Sequence, residues 1–175
     1  MKEKKPPLVF QIVGYKNSGK TTLMCRLIGH FTSQGLRVAV IKHDGHEFEA
    51  DAPGCDTRKM REAGAEWSAI TSAGQTAIVK AAPTPLHELI DAAPPVDVIL
   101  VEGYKREAYP KLVLLRNSDD AEMAMSLSNV TGIALWPHDY DSWGRSRELS
   151  GGVTAFELND IPAIADHIGN CARII

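Results

Sequence analysis

Short apolar runs alternate along this chain with amphipathic and polar stretches. LVFQIV, residues 8–13, is brief and apolar, as a strand buried on both faces would be. Residues 20–34 place Leu23, Leu27, Ile28 and Phe31 at helical spacing, and Gln34-Gly35 supplies the stop. LRVAVIKH, residues 36–43, reads as a second buried strand, so the opening is a βαβ unit with a right-handed crossover. DGHEFEADAPGC, residues 44–55, mixes Gly, Pro and acids without an apolar period and reads as a loop of functional length. Asp56-Thr57 caps a short helix, RKMREAGA, which stops at Gly64. WSAITSA and TAIVKAA flank Gly74-Gln75 as the two strands of a hairpin. TPLHELIDAA, residues 84–93, is helical with Pro85 in its first turn, and Pro94-Pro95 ends it.

The second half continues the alternation. DVILVEGYK, residues 97–105, holds a central strand, VILV, with Glu102-Gly103 at its C-terminal end. KLVLLR (111–116) and VTGIALW (130–136) are further strands, with a helix expected over 119–127. PHDYDSWGRSRELSGG reads as a loop, and FELNDIPAIADHIGN as a short strand and a helix capped by Asp160. Strands alternating with helices imply an α/β fold of three layers, a mostly parallel sheet with helices on both faces. At 175 residues, a single domain covering 1–175 is expected.

Composition narrows the function classes. Hydrophobic residues make up 44% and charged residues 23%, and a net charge of −3 provides no global basic field for nucleic acid. No apolar segment reaches membrane-spanning length, and no signal-peptide pattern follows MKEKKPP. Cys25, Cys55 and Cys171 form no disulfide framework, which points to a reducing cytoplasm. Cys25, inside the first helix, is expected to be a small buried hydrophobe.

The chemistry concentrates in three stretches. GYKNSGKT, residues 14–21, matches G-x-x-x-x-G-K-[ST], the phosphate-binding P-loop, between a buried strand and an amphipathic helix. Gly14 and Gly19 allow a close backbone approach, and the inward-turned amides of the loop form an anion nest. The helix that begins near Lys20 adds its positive end. Lys20 reaches the β and γ phosphates, and Thr21 offers its hydroxyl to Mg²⁺. DVILVEG has the form of a Walker B strand, with Glu102 in place of the commoner Asp as the Mg²⁺-orienting acid. KHDGHEFEAD, residues 42–51, starts where open α/β sheets bind ligands, and Asp44 is placed to hold Mg²⁺ or the attacking water. His43 and His46, with or without Cys55, lack the second Cys/His pair of a zinc site, so a phosphate-facing switch loop is preferred. Arg58 and Arg61 share a helix face that can meet an anionic substrate, and Lys105, Arg106 and Lys111 are further phosphate candidates. The guanine-selective N/T-K-x-D pattern is missing; ALWPHD stands at the corresponding strand end, with Asp139 a candidate acceptor for a guanine edge.

GYKNSGKTTL, KHDGH, GCDTRKMREAGA and DVILVEGYKREAYPKLVLLR, in this order, resemble the molybdopterin-guanine dinucleotide biosynthesis protein B (MobB) family over most of residues 8–136. The resemblance implies a cytoplasmic, homodimeric P-loop protein that binds GTP with Mg²⁺ and hydrolyses it weakly. It further implies an accessory role in molybdenum cofactor biosynthesis, beside the nucleotidyltransferase MobA, with molybdopterin a possible direct ligand. By the same resemblance Gly14, Lys16, Asn17, Ser18, Gly19, Lys20, Thr21 and Thr22 hold phosphates. Lys42, His43, Asp44, His46 and Glu102 line the same pocket. Lys20, Asp44 and Glu102 are the candidate catalytic residues, and Thr21, Asp44 and Glu102 the candidate Mg²⁺ ligands. Two other classes stay open on the residues alone: a small-molecule kinase, and a nucleotide-dependent binding switch without significant hydrolysis.

Overall fold

The structure is a computed structural model, and it describes residues 6–45, 48–141 and 152–171. It divides into two compact units, Met1–His43 with Ala92–Ile175, and Asp44–Asp91.

The larger unit is built on one six-stranded parallel sheet in the order β2-β5-β1-β6-β7-β8. Its strands are β1 (Leu8–Gly14), β2 (Val38–Lys42), β5 (Val98–Glu102), β6 (Lys111–Leu115), β7 (Val130–Leu135) and β8 (Thr154–Glu157). β5 and β6 are buried at every position, which is why VILVE and KLVLL carry no alternation. One face packs on α1 (Lys20–Ser33) and α6 (Ile161–Cys171): Leu23, Leu27, Ile164 and Ile168 meet Phe10, Ile12, Leu100 and Leu112. On the other face Met123 of α4 (Ala121–Ser126) meets Val13, Val113 and Leu135. Each such side chain, fully buried, contributes about 1.5–3 kcal/mol. The result is the three-layer α/β arrangement that the alternation implied.

Local chemistry sets the ends. The Asp160 carboxylate accepts from the Ala163 amide at 3.2 Å, capping α6 as its sequence suggested. A short helix, α5 (Pro137–Asp139), follows β7 where a loop was expected, because Pro137 presets a helical φ at the first position. LRVAVIKH is not a buried strand but the sheet's edge, with Val40 48% exposed. Cys25 is exposed, because it sits beside the buried stripe of Leu23, Met24, Leu27 and Phe31 rather than on it.

The smaller unit contains α2 (Asp56–Glu62), the antiparallel hairpin β3 (Trp67–Thr71) and β4 (Thr76–Lys80), and α3 (Leu86–Asp91). Trp67, Ile70 and Ile78 of the hairpin are 59%, 56% and 61% exposed.

Candidate functional site

In a parallel sheet every strand delivers its C-terminal end to one edge. Here that edge gathers the loop after β1, Lys42 of β2, Glu102 of β5 and Trp136 after β7. β1 is central, and the chain leaves it toward β2 on one side and later returns to β6 on the other, a topological switch point where ligands bind.

The loop from β1 to α1 has the shape its residues require. Gly14 lies against β6: a Cβ there would sit 2.8 Å from the Leu114 carbonyl oxygen and 2.8 Å from Ser18 Oγ. Gly19 has φ +98°, and the Trp136 indole lies over it, 3.2 Å from where its Cβ would be. Asn17 takes φ 62°, the left-handed conformation that Asn tolerates. The first helical hydrogen bond runs from the Leu23 amide to the Gly19 carbonyl at 3.0 Å, so the amides of Lys20, Thr21 and Thr22 precede the ladder. No side chain among the described residues caps them. The Ser18 hydroxyl is buried with no hydrogen-bond partner among the described residues. A glycine-lined cradle, uncapped helix amides and an unsatisfied buried hydroxyl together fit a phosphate chain.

Charge around the cradle is predominantly positive. Lys20 Nζ donates to the Tyr15 carbonyl at 2.6 Å, folding back over the loop. Burial holds the Lys20 ammonium below its ordinary 10.5; nearby Glu102 opposes that shift, while Lys105 and Lys42 add to it. Glu102 is 8% exposed and pairs with Lys42 Nζ at 3.5 Å. The structure thus brings Lys20, Lys42 and Glu102 together. The Thr21 hydroxyl and the Glu102 carboxylate supply hard oxygen donors of the kind Mg²⁺ takes. Among the described residues no group of three His, Cys, Asp or Glu side chains can hold a metal ion.

The two loops flanking Glu102 are tied to each other. The His43 amide donates to the Glu102 carbonyl at 2.8 Å, and the His43 ring stacks on Tyr104 with centroids 4.7 Å apart. Gln11, fully buried in β1, donates from Nε2 to the carbonyls of Gly103 (3.0 Å) and Tyr104 (2.8 Å). This anchor escaped the sequence reading, although Gln11 is the one polar residue in LVFQIV. Tyr15, inside the phosphate loop, is flanked by Lys105 Nζ and the Arg116 guanidinium, 4.7 Å and 4.8 Å from its ring centroid.

Other candidates have structural roles. Lys111 is fully buried, and its Nζ donates to the carbonyls of Glu107 and Ser128, the latter at 2.8 Å. It fastens the 103–110 connection rather than facing a ligand. Within the smaller unit Arg61 pairs with Glu49 and with Asp51 (2.9 Å), and Arg58 with Glu62 (2.9 Å), so both guanidiniums are already engaged. Asp44 opens that unit. His46 lies outside the described residues.

A family model described as "Molybdopterin guanine dinucleotide synthesis protein B" matches residues 9–136. The chain is 34% identical over 164 residues to a molybdopterin-guanine dinucleotide biosynthesis adapter protein of Haemophilus influenzae, covering 91% of this chain and 86% of that protein. It is 35% identical over 171 residues to the adapter protein of the same description from Escherichia coli, covering 93% and 91%. Among solved structures, Bacillus subtilis MobB superposes with a TM-score of 0.75 at 29% identity, covering 93% of this chain and 96% of that one.

Proposed function

The chain belongs to the MobB family, and from that premise we propose that it binds GTP with Mg²⁺ and assists the nucleotidyl step that builds molybdopterin guanine dinucleotide. Its role in molybdenum cofactor biosynthesis is an accessory one, as the adapter proteins it resembles are described. The observation that carries nucleotide binding is the Gly14–Thr21 cradle, with a buried, unsatisfied Ser18 hydroxyl at its centre and Lys20 closed over its rim. Lys16, Asn17, Ser18, Gly19 and Thr22 line the phosphate chain, and Lys20 neutralises its terminal groups. Thr21 and Glu102 place Mg²⁺, with Lys42 and His43 beside them. Asp44, next in sequence after His43, orients water or the metal, and His46 is a further nucleotide-binding residue in this reading.

Hydrolysis is slow in this reading. Among the described residues Arg58 and Arg61 of the smaller unit pair with its own acids and Arg116 pairs with Asp120, which supports slow turnover without a transition-state cation supplied by a partner. The tie between His43 and the 102–104 segment favours an additional switch behaviour, since a terminal phosphate at Glu102 would bear on both loops. Partners are a MobA-type nucleotidyltransferase, molybdopterin, and a second copy of the chain; the exposed Trp67, Ile70 and Ile78 support a homodimer. The setting is the cytoplasm.

The test is competition of GTP against ATP for the purified protein, with and without Mg²⁺. GTP displaces ATP in this account, and Glu102→Gln reduces the Mg²⁺ dependence. A preference for ATP, or an unaltered Mg²⁺ response in the variant, overturns the corresponding assignment.

A further inference from the structure

A second set of cations stands on the β6 side of the phosphate loop, outside the cradle. It gathers on Tyr15, whose two ends meet different partners. The Tyr15 carbonyl accepts from Lys20 Nζ at 2.6 Å. The Tyr15 ring lies instead against Lys105 Nζ and the Arg116 guanidinium, 4.7 Å and 4.8 Å from its centroid. Tyr15 is 41% exposed, so the group is open to solvent. An aromatic ring attracts a cation. Two cations at the same ring also repel each other, and an anion between them relieves that repulsion.

Both cations are held in place. Arg116 donates from Nε to Asp120 Oδ2 and from Nη2 to Asp120 Oδ1, each at 2.8 Å, and Asp120 is buried. This fork uses two of the five guanidinium N–H groups. Among the described residues the other three have no hydrogen-bond acceptor. Lys105 follows a segment pinned by Gln11 through the carbonyls of Gly103 and Tyr104. Its ammonium donates to the Met123 thioether at 3.3 Å, a weak acceptor. Among the described residues no carboxylate pairs with it. Its charge is felt at Asp120 on one side and at Lys20 on the other. Asp120 balances Arg116, so the charge of Lys105 is the uncompensated one.

We propose that Lys105, Arg116 and the Tyr15 hydroxyl form a site for the phosphate monoester of a second ligand, bound beside the nucleotide rather than in its place. An ammonium, the open edge of a guanidinium and a phenol supply separate donors that suit a dianion; a carboxylate brings a single charge. The nearness of Lys105 to Lys20 sets this phosphate next to the terminal groups of the nucleotide. The proposal rests on the phosphate-loop reading above only in being second to a nucleotide.

The experiment titrates phenyl phosphate into the full chain by calorimetry, with and without saturating GTP·Mg²⁺. Benzoate and inorganic phosphate are the comparison ligands. Phenyl phosphate binds the GTP-saturated chain, more tightly than either comparison ligand. Lys105→Met, which keeps the length of the stem, weakens phenyl phosphate about tenfold or more. It leaves GTP affinity within about threefold. Arg116→Lys, which keeps a cation for Asp120, weakens phenyl phosphate severalfold by losing the fork. Unchanged unfolding temperatures report that both variants are folded. Phenyl phosphate that binds only the nucleotide-free chain is occupying the cradle, which overturns the proposal. So does equal affinity in the natural chain and Lys105→Met, or no binding at all. Benzoate or inorganic phosphate held as tightly as the ester overturns the ligand class. Equal losses of GTP and phenyl phosphate in Lys105→Met make Lys105 part of the nucleotide site; that overturns the proposal and leaves the phosphate-loop reading intact. A chain that binds no GTP yet holds phenyl phosphate through Lys105 keeps this site and defeats the phosphate-loop reading alone.

Discussion

Gly14→Ala tests the cradle through its packing. The added Cβ would lie 2.8 Å from the Leu114 carbonyl oxygen, 2.8 Å from Ser18 Oγ and 3.2 Å from Leu114 Cβ. Ordinary contact requires a retreat of about half an ångström, and a well-packed site resists it. Leu114 cannot give, because it is the register partner of Gly14 in the central β1–β6 pairing. Ser18 must give instead, and it is buried. Overpacking of this kind costs about 1–3 kcal/mol, which for a chain of this size lowers Tm by roughly 4–8 °C at the midpoint of that range. Moving Ser18 also displaces the amides of the anion nest, so nucleotide affinity falls about tenfold or more. Thermal unfolding followed by circular dichroism and GTP titration by calorimetry read the two effects separately. Gly29→Ala is the control: it lies within α1 with nothing within 4 Å of its would-be Cβ, so Ala there stabilises by roughly 0.5–1 kcal/mol. A Gly14→Ala protein with unchanged Tm and full affinity would refute the reasoning, since the close approach of β1 to β6 would then constrain nothing.

Two further outcomes probe the supports of the site. Gln11→Met removes the donor from the Gly103 and Tyr104 carbonyls and lowers stability by about 1–3 kcal/mol, with faster amide exchange over 103–105; denaturant unfolding and hydrogen exchange check it. The Arg116 side chain, donating to Asp120, holds the Asp120 carboxyl below its ordinary 3.8. Its folded-state pKa is thus depressed, so its stabilisation is fully present above the unfolded value and is lost as pH falls through the lower, folded value. Asp120→Asn flattens that part of the acid-side loss in urea midpoints measured between pH 6 and about pH 3; a loss as steep as in the natural chain would contradict the assignment.

The legible parts of the fold were those written in contiguous residues. LVFQIV announced a strand buried on both faces, VILV a central strand and KLVLLR a further one, and the GYKNSGKT motif between a strand and an amphipathic helix announced the tight turn that Gly14 and Gly19 allow. An apolar run does not say whether a strand is central or at an edge, since that depends on the order of strands, so LRVAVIKH was misjudged. Helical spacing alone did not place Cys25, one step off the buried stripe. Charge type alone did not separate Lys111, buried under two carbonyls, from Lys105, beside the Tyr15 ring. Arg58 and Arg61 looked available because their acidic partners at 49, 51 and 62 were not weighed with them. The approach of Trp136 to Gly19 was illegible for a stronger reason. Topology alone brings the end of β7 beside the start of α1, and no local motif marks it.

The account stands most directly on Lys20. Its ammonium is the cation closed over the cradle, held there by the Tyr15 carbonyl. Calorimetric titration of GTP·Mg²⁺ into the natural chain and into Lys20→Ala measures what that group contributes. The account predicts saturable binding by the natural chain and no measurable binding by the variant, with the two proteins unfolding at similar temperatures. Equal affinity in the two would contradict it, because Gly14–Thr21 would then not be where the phosphates are held.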